Sequence, residues 1–215
     1  MTYLEIVNKV LIRLRENEVT SVQESPYSKL IGEFVNIVKR EVEDTYNWAS
    51  LRNTIIIPTV ASTITYSLTG SGVRSRVDQV ANISSGSKHE LTYIPSNTLA
   101  DWNLVETLQT GEPYYFNLRS VDSNGDAIVA IYPTPDAVYE KILRLYTTQV
   151  DLEIDADTIT IPYQVVVEGA LARAISERGD DGGYTEQEGR YNRILSDYIA
   201  IDAGNHPETT VWYAQ

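Results

Sequence analysis

Asp180 and Asp181 stand side by side in Gly179-Asp180-Asp181-Gly182-Gly183, and adjacent carboxylates are raw material for acid–base catalysis. The segment before them, from Ile161, reads as a helix that opens on Pro162 and stops at Gly179. A further helix starts just beyond. The two aspartates therefore fall in a link open to water, where negative charge also favours the N-terminus of the following helix. A tight link in a helix pair is expected, not a catalytic pair. Asp122-Ser123-Asn124-Gly125-Asp126 places oxygen ligands at alternate positions, as a calcium loop does. Such a loop needs Gly sixth and Glu twelfth, and Ala127 and Pro133 hold those places. Asn124-Gly125 is instead a hairpin signal. The two histidines, His89 and His206, lie far apart in the chain with no partner motif. Nothing matches GxSxG, a phosphate-cradling loop or an HExxH zinc helix. The chain is expected to be no enzyme and to use no cofactor or metal. A cell-wall glycoside hydrolase working through two carboxylates is the third-ranked reading, with no pair to nominate.

The elements that position these residues change character twice along the chain. Thr2 with Glu5 forms a capping box ahead of Leu4, Val7, Leu11 and Leu14. Ser25 and Pro26 start a second helix whose apolar face is Leu30, Phe34, Ile37, Val38, Val42 and Tyr46, ending near Trp48. From Asn53 to Val150 about seven strands follow, rich in β-branched and aromatic residues, with a helical turn near 97–104. Helical spacing returns at Tyr163, Val167, Ala170, Leu171 and Ala174. Gly169 and the alanines keep that helix slim enough for a close neighbour. Thr185 with Glu188 suggests another capping box, followed by the stripe Tyr191, Ile194, Leu195, Tyr198, Ile199 and Asp202, with Gly204 as C-cap.

The predicted fold is therefore α+β, with an antiparallel β domain inserted into a helical bundle. Residues 1–50 and 151–204 supply the bundle, 51–150 the β-rich insertion, and 205–215 an extended docking tail. In that tail Val211, Trp212 and Tyr213 follow Pro207 on too few residues to build a core. Such aromatics dominate interfaces. Either the tail folds back on its own domain or it reaches a neighbouring subunit or partner.

Charge narrows the function further. The net charge is −13, and residues 151–215 carry nine of those units, with thirteen acidic and four basic groups. A protein that grips nucleic acid clusters Lys and Arg against phosphate; this one does the reverse. The apolar runs are too short to span a bilayer. The N-terminus reads as no signal peptide, and the absence of cysteine removes disulfides and thiolate chemistry, so synthesis and assembly are expected in a cytoplasm.

The order of several short motifs carries a resemblance. Tyr46-Asn47-Trp48 and Leu51-Arg52 close the first helix pair, and Arg76-Val77-Asp78-Gln79-Val80 precedes Glu90-Leu91-Thr92-Tyr93-Ile94. Gly111-Glu112-Pro113-Tyr114-Tyr115, Ile131-Tyr132-Pro133-Thr134-Pro135-Asp136 and Leu145-Tyr146 follow. Ile161-Pro162 then opens a helix containing Glu168-Gly169-Ala170 and ending in Gly179-Asp180-Asp181. Over nearly its whole length the chain resembles the head-to-tail adaptor (connector) proteins of tailed bacteriophages, especially those with short tails. The resemblance implies a ring of about twelve copies, docked under the portal protein at the head–tail junction of the virion. Such a ring continues the DNA channel, lets DNA pass without specific binding, and carries the tail nozzle and fibres. It implies no membrane partner. By position, Val211, Trp212 and Tyr213 would be portal anchors, and Asp180, Asp181, Glu186 and Glu188 would belong to an acidic channel wall. A uniformly solvated acidic exterior gives the same composition. The runner-up reading is another virion tail module, such as a nozzle or tail-tube subunit.

Overall fold

Thr2 and Ser25 begin the first two helices because each hydroxyl accepts from the backbone N–H three residues on, from Glu5 and Ser28. In the computed structural model, which describes residues 1–83, 89–104, 109–179 and 183–206, these helices are α1 (Tyr3–Arg13) and α2 (Pro26–Thr45). A 3₁₀ turn, Ala49–Leu51, leads into the strands, eight among the described residues. They are β1 (Arg52–Pro58), β2 (Thr65–Ser67), β3 (Arg76–Asn82), β4 (His89–Glu90), β5 (Thr92–Tyr93), β6 (Tyr115–Val121), β7 (Ala127–Tyr132) and β8 (Glu140–Tyr146). Helix α3 (Ser96–Asn103) lies between β5 and β6, and α4 (Tyr163–Arg178) and α5 (Tyr184–Asn205) close the order. The fold class is α+β, as the alternation of periods predicts.

The chain divides into two compact units, Arg52–Thr148 and the two flanking segments Met1–Leu51 and Gln149–Gln215. In the β unit, one sheet has the order β1-β8-β3-β4 and the other β2-β7-β6-β5. All pairs are antiparallel except β5 with β6, which runs parallel through Thr92↔Tyr115 and Tyr93↔Phe116. Asp78 is skipped between Val77 and Gln79 in the β3–β8 ladder, a bulge that re-aims the strand. Inward residues of both sheets meet in one cluster: Val80, Leu143 and Leu145 from the first, Phe116, Val129 and Ile131 from the second. Each such buried side chain contributes about 1.5–3 kcal/mol. Between β6 and β7, Asp122 accepts from the backbone N–H groups of Asn124 and Asp126 at 2.8 and 3.0 Å, while Gly125 takes φ 85°. The Asp122 oxygen that a calcium loop would give to a cation is thus spent on the turn. Among the described residues, no three His, Asp or Glu side chains gather as a metal site.

In the helical unit α4 is the central element, in contact with α1, α2 and α5. Val165 to Ala172 are buried without a break, so this helix is enclosed on nearly every side. Gly169 sits where a Cβ would lie 2.6 Å from Val38 of α2 and 2.9 Å from Tyr191 of α5. Two helices can approach α4 at the same level only because that atom is missing. The buried face of α2 differs from the predicted one. Ile31, Val35, Val38 and Val42 are inside with Lys39 and Glu43, whereas Leu30, Phe34, Ile37 and Tyr46 are half-buried. Lys39 and Glu43 pair at 3.2 Å with both side chains fully enclosed. Lys39 Nζ also donates to the Gln149 carbonyl at 2.7 Å, and Glu43 Oε1 accepts from the Gln149 N–H at 3.2 Å. Burial of two opposite charges together rotates the face by one position. The connecting segment before α4 is secured by Asn36, which exchanges two hydrogen bonds with the Leu152 backbone, at 2.9 and 3.0 Å.

Candidate interaction surface

The α4–α5 pair carries the residues singled out by charge and position. Gly179 ends α4 in the left-handed conformation at φ 71°, as expected of a helix C-cap. The Thr185–Glu188 capping box does not form. Helix α5 already starts at Tyr184 with Gly183 as N-cap, so Thr185 lies within the helix. At the other end α5 continues through Gly204 to Asn205. Its predicted stripe is the half-buried one, and no residue of α5 is fully buried. Asp202, the polar member of that stripe, accepts from the Ala49 N–H at 3.1 Å and so ties α5 to the 3₁₀ turn.

Of the acidic residues considered for a channel wall, Glu186 and Glu188 are exposed in the opening turns of α5. Asp180 and Asp181 lie outside the described residues, as do Val211, Trp212 and Tyr213. Glu188 lines a groove of about 390 Å³ on the α2 side of the helix pair, with Phe34, Tyr184 and Tyr191. Within that groove Glu41 and Arg173 are already paired. The structure thus brings Glu186 and Glu188 onto one exposed helix start and adds an aromatic floor beside Glu188.

The α1 side of the same pair holds a feature that periodicity does not reveal. Glu168 is only 4% exposed, yet its carboxylate meets Arg13 of α1 at 2.7 Å, Arg190 of α5 at 3.4 Å and the amide of Gln187 at 2.6 Å. Burial pushes this carboxyl up. Hydrogen bonds from Arg13 and Gln187, with the charges of Arg13 and Arg190, outweigh that and hold it below the usual carboxylate range. A depressed folded value means that the stabilisation is full above the unfolded value and lost as pH falls through the folded one. Glu168→Gln is therefore expected to cost about 1–3 kcal/mol at pH 7, with the gap from wild type closing as pH falls and the Glu168 carboxyl protonates first in the unfolded and then in the folded state. Denaturant unfolding at neutral and acid pH measures this; a gap of the same size at both would sink the assignment. The one sequence cue was a glutamate set between Val167 and Gly169 in an otherwise apolar run.

Above Glu168 opens a groove of about 570 Å³ between α1, α4 and α5. Ile12, Tyr163 and Ile201, one from each helix, line it with 53%, 37% and 56% of their surfaces exposed. Lys9 lies over the Tyr163 ring, 5.0 Å from its centroid. In the β unit the corresponding polar cluster is closed. Lys141, 2% exposed, donates to Asn82 at 2.9 Å and to the Pro113 carbonyl at 3.3 Å, and Asn82 donates in turn to Glu112. Burial lowers the Lys141 ammonium to about 8, against the pull of Glu112. Every member is satisfied, so this cluster reads as internal bracing.

A family model described as SU10 adaptor protein matches residues 1–211. The chain belongs to this family. It is a bacteriophage adaptor, a structural component of the virion. No curated protein matches the chain. Membership suits the surfaces above: the adaptor offers open grooves and an acidic helix start, and its buried polar groups are turned to bracing the fold. No helix among the adaptor's described residues is long and apolar enough to cross a membrane.

Proposed function

We propose that the protein forms a ring of about twelve copies beneath the portal, extends the DNA channel and provides the platform for the tail nozzle and fibres. The match to the adaptor family over residues 1–211 carries this reading. The segment with Val211, Trp212 and Tyr213 is the portal anchor, since three large apolar residues on so short a segment need a partner surface. Assembly takes place in the host cytoplasm. The test is negative-stain imaging of purified protein with its portal ring, alongside a variant truncated after Pro207. Full-length protein is expected to add a second ring to the portal and the truncation to add none. Decoration by both assigns the segment another task; decoration by neither moves the protein to a nozzle or tail-tube position.

The acidic C-terminal third supports a second part of the proposal. Asp180, Asp181, Glu186 and Glu188 contribute to a channel wall that repels passing phosphates within a Debye length of about 8 Å. Exposure of Glu186 and Glu188 on one helix start is compatible with that role. Neutralising all four to Asn and Gln is expected to leave rings intact and to slow DNA ejection several-fold. Ejection kinetics that match wild type would remove these residues from the wall.

A further inference from the structure

Asn82 and Lys141 stand directly opposite each other in the β3–β8 ladder. One position on, the Ile83 N–H donates to the Glu140 carbonyl at 3.0 Å. Asn82 and Lys141 therefore form a non-hydrogen-bonded pair, the kind whose side chains come closest. Lys141 Nζ donates to Asn82 Oδ1 at 2.9 Å. With a C=O bond of about 1.23 Å, that places Nζ roughly 3–4 Å from Asn82 Cγ. The span overlaps the near-attack range of about 3–3.5 Å for reacting atoms. The nitrogen of the same amide, Asn82 Nδ2, donates to the Glu112 carboxylate. Around Nζ lie also the Pro113 carbonyl at 3.3 Å and the Tyr139 ring, 5.3 Å from its centroid. Asn82 is 1% exposed and Lys141 2%, so bulk water has little access. An amine, a primary amide and a carboxylate thus share one enclosed site between two strands.

We infer that Lys141 and Asn82 join in an intramolecular isopeptide bond, with Glu112 relaying the proton. The neutral amine of Lys141 attacks Asn82 Cγ, and the Nζ–Cγ bond forms. In the tetrahedral adduct Nζ and Nδ2 are attached to one carbon, so the carboxylate that holds Nδ2 reaches both. Glu112 takes a proton from Nζ and gives it to Nδ2, the Cγ–Nδ2 bond breaks, and ammonia leaves. The product is a secondary amide, formed with no change of oxidation state and no co-reactant. Burial lowers the Lys141 ammonium to about 8 against the pull of Glu112, which populates the nucleophilic amine near neutral pH. The bond closes a loop that contains β4 to β7, so β3 and β8 cannot part under load. It goes beyond the ring and portal reading and does not depend on it.

The test is mass spectrometry of the full-length protein, intact and after trypsin. The intact mass is expected to fall short of the sequence mass by one ammonia. Joined Lys141 resists trypsin, so residues 77–88 and 120–144 should emerge as one branched peptide. An intact mass at the sequence value after days at about pH 8 overturns the inference. So does a deficit without the branched peptide, because cyclisation of an asparagine on its own backbone, as at Asn124-Gly125, also expels ammonia. Glu112→Gln keeps an oxygen acceptor for Asn82 Nδ2 but cannot carry the proton. The fraction joined at successive times after cell-free synthesis is expected to rise about a hundredfold more slowly in this variant. Equal rates in wild type and Glu112→Gln overturn the assignment to Glu112. Lys141→Arg should show its full sequence mass, and a branched peptide that persists there overturns the bond itself.

Discussion

Replacement of Lys39 by methionine is expected to destabilise the protein by about 3–5 kcal/mol, because it leaves the Glu43 carboxylate enclosed without its close ammonium. For a protein of this size that corresponds to a fall in Tm of roughly 6–20 °C, at about 2–4 °C per kcal/mol. The effect is large because neither charge can be rehydrated in place: both side chains are at 0% exposure. The double variant Lys39→Met/Glu43→Leu is expected to recover most of the loss, since a buried ion pair is seldom better than well-packed apolar side chains of like volume. A residue of about 1–2 kcal/mol should remain, because the Gln149 N–H and carbonyl lose the groups they bond to. Thermal unfolding of the three proteins settles the matter. A double variant no more stable than Lys39→Met would mean that the cost lies in packing and not in the stranded charge.

Gly169→Val should be the second severe substitution. The added Cβ would press on Val38 from one side and Tyr191 from the other, at 2.6 and 2.9 Å, closer than carbon atoms can stand. Neither neighbour has room to retreat easily, since Val38 is fully buried in α2 and Tyr191 packs in the stripe of α5. Overpacking of this kind costs about 1–3 kcal/mol, and the two further methyl carbons place the expected loss at the top of that range. Gly169→Ala separates the terms. It gains about 1 kcal/mol of helix propensity against a smaller clash, so it should sit between wild type and Gly169→Val. If alanine proved clearly stabilising, the close approach of α2 and α5 at this level would be wrong.

Elements with a local cause were legible in the chain. The caps at Thr2 and Ser25, the stop at Gly179 and the hairpin at Asn124-Gly125 each depend on a few adjacent residues, and each is found where it was expected. What escaped depends on partners distant in sequence. Lys39 and Glu43 fall outside the apolar face read from spacing, and the Gln149 backbone, over a hundred positions away, helps to make their burial possible. Glu168 is a similar case, held by Arg13 from one end of the chain and Arg190 from the other. The parallel pairing of β5 with β6 was missed because strand direction leaves no trace in side-chain alternation. The Thr185–Glu188 pair shows the converse, a correct motif without its context, since the helix starts two residues too early to use it. The groove between α1, α4 and α5 has no signature at all, since its lining is drawn from three helices far apart in sequence.

Arg52 and Tyr146, the first residue of the β unit's opening strand and the last of its closing strand, are partners in the β1–β8 ladder. Paired residues in an antiparallel ladder stand about 5 Å apart at Cα. The chain therefore leaves the β unit beside the point where it entered. To the helical unit the whole insertion is topologically equivalent to one short loop, and loop length weighs on stability only logarithmically, about 0.6 kcal/mol per doubling. Selection can consequently lengthen, trim or replace everything between those two positions with little penalty for the bundle. This favours rapid divergence of one unit against slow divergence of the other within a single gene.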